Sequence, residues 1–399
     1  MLTLLALTLT MVSVAPAGRR CISSELAQLS ADAPRTWVAG TKLAALAANT
    51  NGQVPAPDAF DSKSLVIRKG ALRLAEGTDY LVDATWGSVG LAPGSRATTS
   101  DRVSIDYCFS LRRLDALVRD SQGRETVVKG EEALTDPQPP AIPPGTRHIA
   151  NLYVPYFSDG RHPEVFPVEE AAAATRTATT PGRLPRTLEK LRAGKPVKVV
   201  TWGDSVTEGG DASTPQRRYT AVFEQRLRAQ FPTARVDVEV VAVGGSHSRQ
   251  WLYPERYPSL APAAERLRWQ RVIDARPDLV TIEFVNDAGL QPAEVRQVYG
   301  DILERLQAIG SEVILITPHF TRPAMMNFRT LRDRDERPYV LALRAFAEEK
   351  GLALADASAR WQHLWREGLP YVTLLHNGNN QPDDRGHLLF ADELIRCFR

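Results

Sequence analysis

Apolar and polar positions change rhythm along the chain. Between about Ser64 and Tyr153 the apolar residues come in short alternating or β-branched runs: Ser64-Leu-Val-Ile-Arg, Asp79-Tyr-Leu-Val-Asp and Arg102-Val-Ser-Ile-Asp-Tyr. Turn chemistry separates them, at Glu76-Gly-Thr, Trp86-Gly-Ser, Pro93-Gly-Ser and Ser121-Gln-Gly. Short strands at that spacing predict a β-rich, sandwich-like module. From Pro196 the rhythm becomes alternating strands and helices. Strands are expected at Val197–Trp202, Val236–Val243, Leu279–Phe284, Val313–Thr317 and Leu352–Asp356. Helices are expected at Pro215–Gln230, Ala263–Ala275, Pro292–Ile309, Arg337–Lys350 and Arg385–Phe398. Repeated β-α units predict a parallel sheet covered by helices on both faces. In such sheets chemistry gathers beyond the carboxyl ends of the strands.

Between these modules lie a stretch with five prolines, Pro137 to Pro144, and the apolar-poor stretch Ala171 to Pro185. Both read as connection. The expected division is a leader at 1–17, a β-rich module at 18–150, a linker at 151–195 and a catalytic α/β domain at 196–399. The leader rests on the apolar run Leu2 to Val14, broken only by Thr and Ser, followed by the small-x-small pattern Ala15-Pro16-Ala17. Removal after Ala17 would make Gly18 the first mature residue. A buried N-terminal helix or an uncleaved anchor is the alternative. No other stretch approaches the ~20 apolar residues of a membrane span.

The 399 residues carry 49 Lys+Arg against 47 Asp+Glu, a net charge of +2. That balance offers no basic field for a phosphate backbone and speaks against dedicated nucleic-acid binding. Only eight of the cations are lysine, which reads as a coding bias. Three cysteines, Cys21, Cys108 and Cys397, are too few for a disulfide framework and lack zinc spacing. In an exported protein Cys21 and Cys108 can pair, or one of them with Cys397.

Four strand ends or late loops carry reactive residues. The first strand runs into Gly203-Asp204-Ser205. The second ends at Val243-Gly244-Gly245-Ser246, the third at Phe284-Val285-Asn286-Asp287, and the last helix opens with Asp384-Arg385-Gly386-His387. A serine hydroxyl needs a base, and a base needs an orienting partner. Asp384 and His387 are three apart, so a helix presents them to one side. Gly245 offers a backbone N–H and Asn286 a side-chain amide for an oxyanion. Each residue has a structural alternative: Ser205 or Asp384 as helix N-caps, His387 on the surface, Asn286 in an Asx-turn. His247 and His319 lie near the expected mouth as structural or substrate-side residues, Asp287 reads as structural, and His363 and His376 show no zinc spacing.

These four blocks, in this order, resemble the SGNH hydrolases, also called the GDSL esterase/lipase superfamily. The resemblance covers Pro196 to Arg399 and implies a flavodoxin-like three-layer α/β/α fold. It implies Ser205, Asp384 and His387 as catalytic residues, and the amides of Ser205 and Gly245 with the Asn286 side chain as oxyanion hole. No metal or organic cofactor is implied. One departure is Phe284, where the family places a glycine two before the Asn. The segment Ala242 to Arg249 resembles rhamnogalacturonan acetylesterases.

The expected activity is hydrolysis of carboxylic esters, with O-acetyl groups of a polysaccharide or glycoside as substrate and a secreted or periplasmic location. Trp251, Trp361 and Trp365 flank the blocks and are candidates to stack on sugar rings, with core packing as the other reading. Lipolytic esterase or lysophospholipase, acyltransferase and non-catalytic binding protein are the alternatives on the same fold.

Overall fold

The computed structural model describes residues 12–48, 54–168, 183–258 and 265–399. Two units divide the chain: residues 1–171 with 365–379, and residues 172–364 with 380–399.

The second unit holds the α/β half of the chain. Its five strands are β1 (Val197–Gly203), β2 (Val236–Ala242), β3 (Leu279–Glu283), β4 (Glu312–Ile316) and β5 (Ala353–Ala355). They form one parallel sheet in the order β2-β1-β3-β4-β5. The strand sequences explain why the sheet is covered twice. Alternate residues point to opposite faces, and here both sets are apolar. Val200 and Trp202 of β1, Val280 and Ile282 of β3, and Val313 and Leu315 of β4 enter one core. Val197 and Val199, Leu279, and Ile314 and Ile316 enter the other.

Helices supply the matching stripes. The first core takes α4 (Ser248–Leu252), α5 (Gln270–Asp274), α6 (Pro292–Ala308) and α8 (Pro338–Lys350). The second takes α1 (Pro185–Arg192), α3 (Tyr219–Gln230) and α10 (Asp384–Arg396). Three short helices complete the unit: α2 (Ser205–Glu208), α7 (Pro323–Met326) and α9 (Ala357–Gln362). The expected three-layer α/β/α architecture is borne out, while residues 365–379 of the expected 196–399 fall in the first unit. The helix expected over Ala263–Ala275 is shorter, Gln270–Asp274, and its beginning lies outside the described residues.

The first unit is built of antiparallel strands. Arg19–Ala27, Val103–Ser110, Phe60–Lys69 and Leu72–Arg73 make a four-stranded sheet in that order. Cys21 stands opposite Cys108 in its register, and the two form a disulfide. Cys397 is free. A second sheet pairs Arg112–Arg119 with Glu132–Ala133, Glu125–Val128 and Arg147–Val154, and the last with Glu164–Pro167. A small third sheet holds Thr41–Lys42, Ser88–Leu91 and Tyr80–Asp83. The stretch expected to be a linker, 151–195, therefore contains the end of one strand, another whole strand and helix α1. The proline run at 137–144 is a loop within this unit, because the strand that follows it pairs back onto Arg112–Arg119.

Residues up to Met11 of the expected leader lie outside the described residues. Its end does not. Val14 N–H donates to Gly160 O at 2.9 Å, and Ala17 N–H to Ser158 O at 2.9 Å. The guanidinium of Arg113, fully buried, donates to Ala15 O at 2.7 Å and Pro16 O at 3.1 Å, besides pairing with Asp115. Removal after Ala17 would strip two acceptors from a buried cation, which is costly in a low-dielectric interior. Among the described residues no helix is long and apolar enough to cross a membrane.

Candidate active site

Strand register builds the site. Gly203 at the end of β1 pairs with Ala242 of β2 on one side and Glu283 of β3 on the other. The next residues of all three strands therefore leave the sheet at one level: Asp204-Ser205, Val243-Gly244-Gly245 and Phe284-Val285-Asn286. Gly203 is required there, since a Cβ would sit 2.1 Å from Thr207 Oγ1 and 2.2 Å from Glu283 O.

Asp204 holds the three ends together. Its carboxylate caps α2 by accepting from Val206 N–H at 3.1 Å, and accepts from Asn286 N–H at 3.0 Å. Ser205, half-buried, is the first residue of α2, so its amide has no intrahelical acceptor. The Glu208 carboxylate accepts from Gly244 N–H at 2.9 Å and fixes the neighbouring loop. Gly245 adopts φ 76°, a left-handed conformation that suits glycine. Its amide has no acceptor among the described residues. Asn286 Nδ2 donates to Ser246 O at 3.2 Å. An amide carries two such hydrogens, which leaves one for a ligand. Ser205, Gly245 and Asn286 are thus brought together despite Phe284, whose ring is buried against Trp202.

Beneath them lies a cluster of buried carboxyls. Burial raises Asp204 to about 7, helped by the charge of Asp287 and opposed by the N–H bonds it accepts. Burial and the Asp204 charge raise Glu283, which accepts from Thr207 Oγ1 at 3.0 Å. Burial raises Asp287, which accepts from Ser248 N–H and Tyr299 O–H, each at 3.1 Å. His247 Nδ1 is 3.8 Å from Asp287. These acids brace the strand ends from within the core.

The base is where the structure departs from the sequence. No hydrogen bond among the described residues joins His387 to Ser205 or to Asp384. Asp383, not Asp384, caps α10, accepting from Gly386 N–H at 2.9 Å. Asp384 accepts instead from Ser213 N–H at 2.9 Å and Ser213 Oγ–H at 2.6 Å. His387 is fully buried, stacked on Tyr219 with ring centroids 6.1 Å apart. Its Nδ1 accepts from Tyr219 N–H at 3.3 Å, so the proton of the neutral ring sits on Nε2, which faces Gly210 O at 3.4 Å. A base for Ser205 needs the opposite tautomer. Burial lowers His387 to about 4, against the raising effects of Gly210 O and the Asp384 charge.

Ser205 Oγ has another partner, Gln381, whose Nε2 donates to it at 2.7 Å. Sequence reasoning missed this residue; the only signal is a polar side chain before Pro382 at the entrance to the last helix.

The other candidates fall in the core. Trp251 and Trp361 are each 1% exposed. Trp251 packs on Trp202 and donates to Ser246 Oγ at 3.0 Å, while Trp361 packs on His319. Neither can stack on a sugar ring. Trp365 belongs to the first unit, half-buried, with the Arg366 guanidinium over its ring. His319 is fully buried and pushed down to about 3 by burial, its Nε2 2.9 Å from Asn380 O. His363 Nδ1 meets Ala359 O, and His376 pairs with Asp136 in the first unit. Among the described residues no cluster of three or more His, Cys, Asp or Glu is placed to hold a metal ion.

Residues 201–389 match the profile of the GDSL-like Lipase/Acylhydrolase family. Residues 56–167 match a domain of unknown function, DUF4815. No curated protein matches the chain. Solved structures that are similar include a two-domain esterase active on acetylated mannans, at 19% identity and a TM-score of 0.42, over 54% of this chain and 52% of that one. Another is a catalytic mutant of an acetylxylan esterase from Geobacillus stearothermophilus, at 19% identity and 0.38, over 51% and 94%. The chain spans about half the length of the two-domain esterase.

Proposed function

Since its C-terminal domain belongs to the GDSL-like lipase/acylhydrolase family, we propose that the protein hydrolyses carboxylic esters at Ser205, with an O-acetylated polysaccharide or glycoside as substrate. The observation that supports this reading is the register that brings Ser205, Gly245 and Asn286, the residues just past three neighbouring strands, to one edge of the sheet. Ser205 Oγ attacks the ester carbonyl carbon, and the carbonyl π pair moves to oxygen, where those N–H groups meet it. Collapse of the adduct breaks the C–O bond and expels the alcohol as alkoxide. The hydroxyl proton passes to solvent and a solvent proton reaches the alkoxide. Water then attacks the acyl-serine and releases the acid. An oxyanion site and binding without a base sustain about 10³–10⁴-fold over water, so turnover is slow.

A second reading keeps the full triad of Ser205, His387 and Asp384. It is favoured by one observation: every contact that holds the pair away from Ser205 comes from a single segment, through Gly210 O, Ser213 and Tyr219 N–H. Displacing that segment would free both side chains.

Acetylated carbohydrate is supported by the likeness of Ala242 to Arg249 to pectin-side acetylesterases. Export to an oxidising compartment is supported by the Cys21–Cys108 disulfide. The test is release of acetate from a panel of acetylated polysaccharides by the protein and its Ser205→Ala variant, with and without a second sugar as acceptor. Release lost in Ser205→Ala supports the hydrolase. Acetyl moved to the acceptor supports the transferase. Equal release by both proteins refutes the site.

A further inference from the structure

Two adjoining cavities of the second unit reach Asn286. One, of about 260 Å³, has Asn286, Asn380, Met325 and Arg337 in its wall. The other, of about 490 Å³, has Asp333, Arg334 and Glu336 in its wall and shares Met326, Asn327, Arg337 and Pro338 with the first. They form one cleft, of the size that ligand sites have. Arg337 stands where the two join and is 9% exposed. It is the N-cap of α8, with Pro338 following at the start of the helix. Its Nε and Nη2 donate to Asp335 at 2.8 and 2.6 Å, and Nη2 also to His319 O at 3.0 Å. Asp335 is fixed in turn by Ser358 Oγ–H at 2.6 Å, and its own N–H donates to Gln362 Oε1 at 3.1 Å. That grip holds the planar guanidinium in one orientation. Its third nitrogen, Nη1, has no acceptor among the described residues.

We propose that this cleft holds the alcohol part of the ester, a neutral sugar, and that Arg337 Nη1 donates to one of the sugar's oxygens. The wall decides which part of an ester fits. A long acyl chain laid against Arg337 would leave a charged N–H without a partner, which is costly. A sugar oxygen accepts that bond, and the C–H face of the ring meets the exposed Met325 and the buried Met326. Charge decides among sugars. Asp335 already balances Arg337, and with Asp333 and Glu336 there are three acids against Arg334 and Arg337. A uronate carboxylate would enter a field of its own sign. This inference rests on Ser205 being the residue that meets the ester carbonyl, since Asn286 is what joins the cleft to it.

The experiment has two arms, both on the full chain. The first measures kcat/KM on O-acetylated xylooligosaccharides and on p-nitrophenyl acetate, which has no sugar, for the native protein, Arg337→Lys and Asn327→Gly. Lysine keeps a cation beside Asp335 and gives up the fork. Asn327 is exposed and has φ 56°, which glycine adopts without strain, so this variant serves where Arg337→Lys fails to fold. The ratio of sugar ester to p-nitrophenyl ester should fall about 10–100-fold in Arg337→Lys, the worth of a hydrogen bond from a charged group, chiefly through KM. In Asn327→Gly it should fall by about threefold, as for a neutral hydrogen bond. The second arm titrates deacetylated xylooligosaccharide and oligogalacturonate into Ser205→Ala by calorimetry, with and without Arg337→Lys. The neutral sugar should bind more tightly than the acidic one and lose about tenfold in the double variant. A ratio and an affinity that neither substitution moves, or tighter binding of oligogalacturonate, would overturn the proposal and leave Ser205-dependent hydrolysis standing. Ester hydrolysis equal in the native protein and Ser205→Ala would overturn the reading beneath it, whatever the sugar binds.

Discussion

His387→Asn separates a structural histidine from a catalytic one. Asn places its side-chain oxygen near the position of Nδ1, so the acceptor for Tyr219 N–H is kept while the titration is removed. In the folded chain burial holds the imidazole down at about 4, below the ordinary histidine value of 6.5. The unfolded chain takes up a proton below about 6.5, whereas the folded chain refuses it until about 4. Stability is therefore complete above the unfolded value and is lost as pH falls through that window. A tenfold difference in proton affinity between the two states is worth about 1.4 kcal/mol, so His387 withdraws roughly 3 kcal/mol between neutral pH and about pH 4. At neutral pH the variant should be less stable by about 1–3 kcal/mol, through lost ring packing on Tyr219. At about pH 4.5 that deficit should shrink or reverse, because the variant has no proton to exclude. His319 is common to both proteins and cancels to first order. Urea midpoints at the two pH values, read by tryptophan fluorescence, measure the difference; Trp202, Trp251 and Trp361 lie in this domain's interior. Hydrolysis of p-nitrophenyl acetate should stay within about twofold of the native rate. A stability difference that ignores pH, together with a fall in rate by about 10⁴-fold or more, would refute the reasoning and restore His387 as the base.

Three further outcomes follow from other parts of the chain. Gly203→Ala forces a Cβ into Thr207 Oγ1 and Glu283 O, and should cost about 1–3 kcal/mol of stability and depress Ser205 reactivity, measured by thermal melting and ester hydrolysis. Reducing the Cys21–Cys108 disulfide, which closes 87 residues of chain, should destabilise the β-rich unit by about 2–4 kcal/mol; an unchanged melting profile under reductant would argue against it. Acetyl should be preferred over octanoyl in kcat/KM along a p-nitrophenyl ester series, whereas an open acyl pocket would gain about 0.8 kcal/mol per buried CH₂ and reverse the trend.

The α/β half of the chain was legible because its strands are apolar on both faces and short turns punctuate them. The meeting of Ser205, Gly245 and Asn286 was legible for the same reason: a parallel sheet delivers the residues after its strands to one edge. The surroundings of His387 and Asp384 were not, because spacing along a helix says which residues share a side and not what that side meets. A clue was present. His387, Phe390, Ala391 and Leu394 recur at helical spacing, and all four are buried. That places His387 in the apolar stripe of α10, whose cap is one residue earlier than expected. Asp384 consequently turns to Ser213, a partner fixed by a loop distant in sequence. Trp251 and Trp361 illustrate the same limit, since an aromatic next to a motif fills a core as readily as it lines a mouth. The first unit hid its makeup for a longer-range reason. Residues 365–379 join it from far along the chain, with Gly368 O accepting from Asn151 Nδ2 at 2.7 Å and His376 paired to Asp136 at 3.0 Å, and no local pattern encodes such a return.

Ser205 as the atom that meets the ester is the central claim, and trapping tests it most directly. The native protein would be incubated with a reactive acetyl ester, quenched in acid and digested, and the modified peptide located by mass spectrometry. Slow turnover without a base predicts an acetyl group accumulating on Ser205, absent from Ser205→Ala and undiminished in His387→Asn. An acetyl group on a different residue, or hydrolysis that proceeds unchanged in Ser205→Ala, would contradict the account.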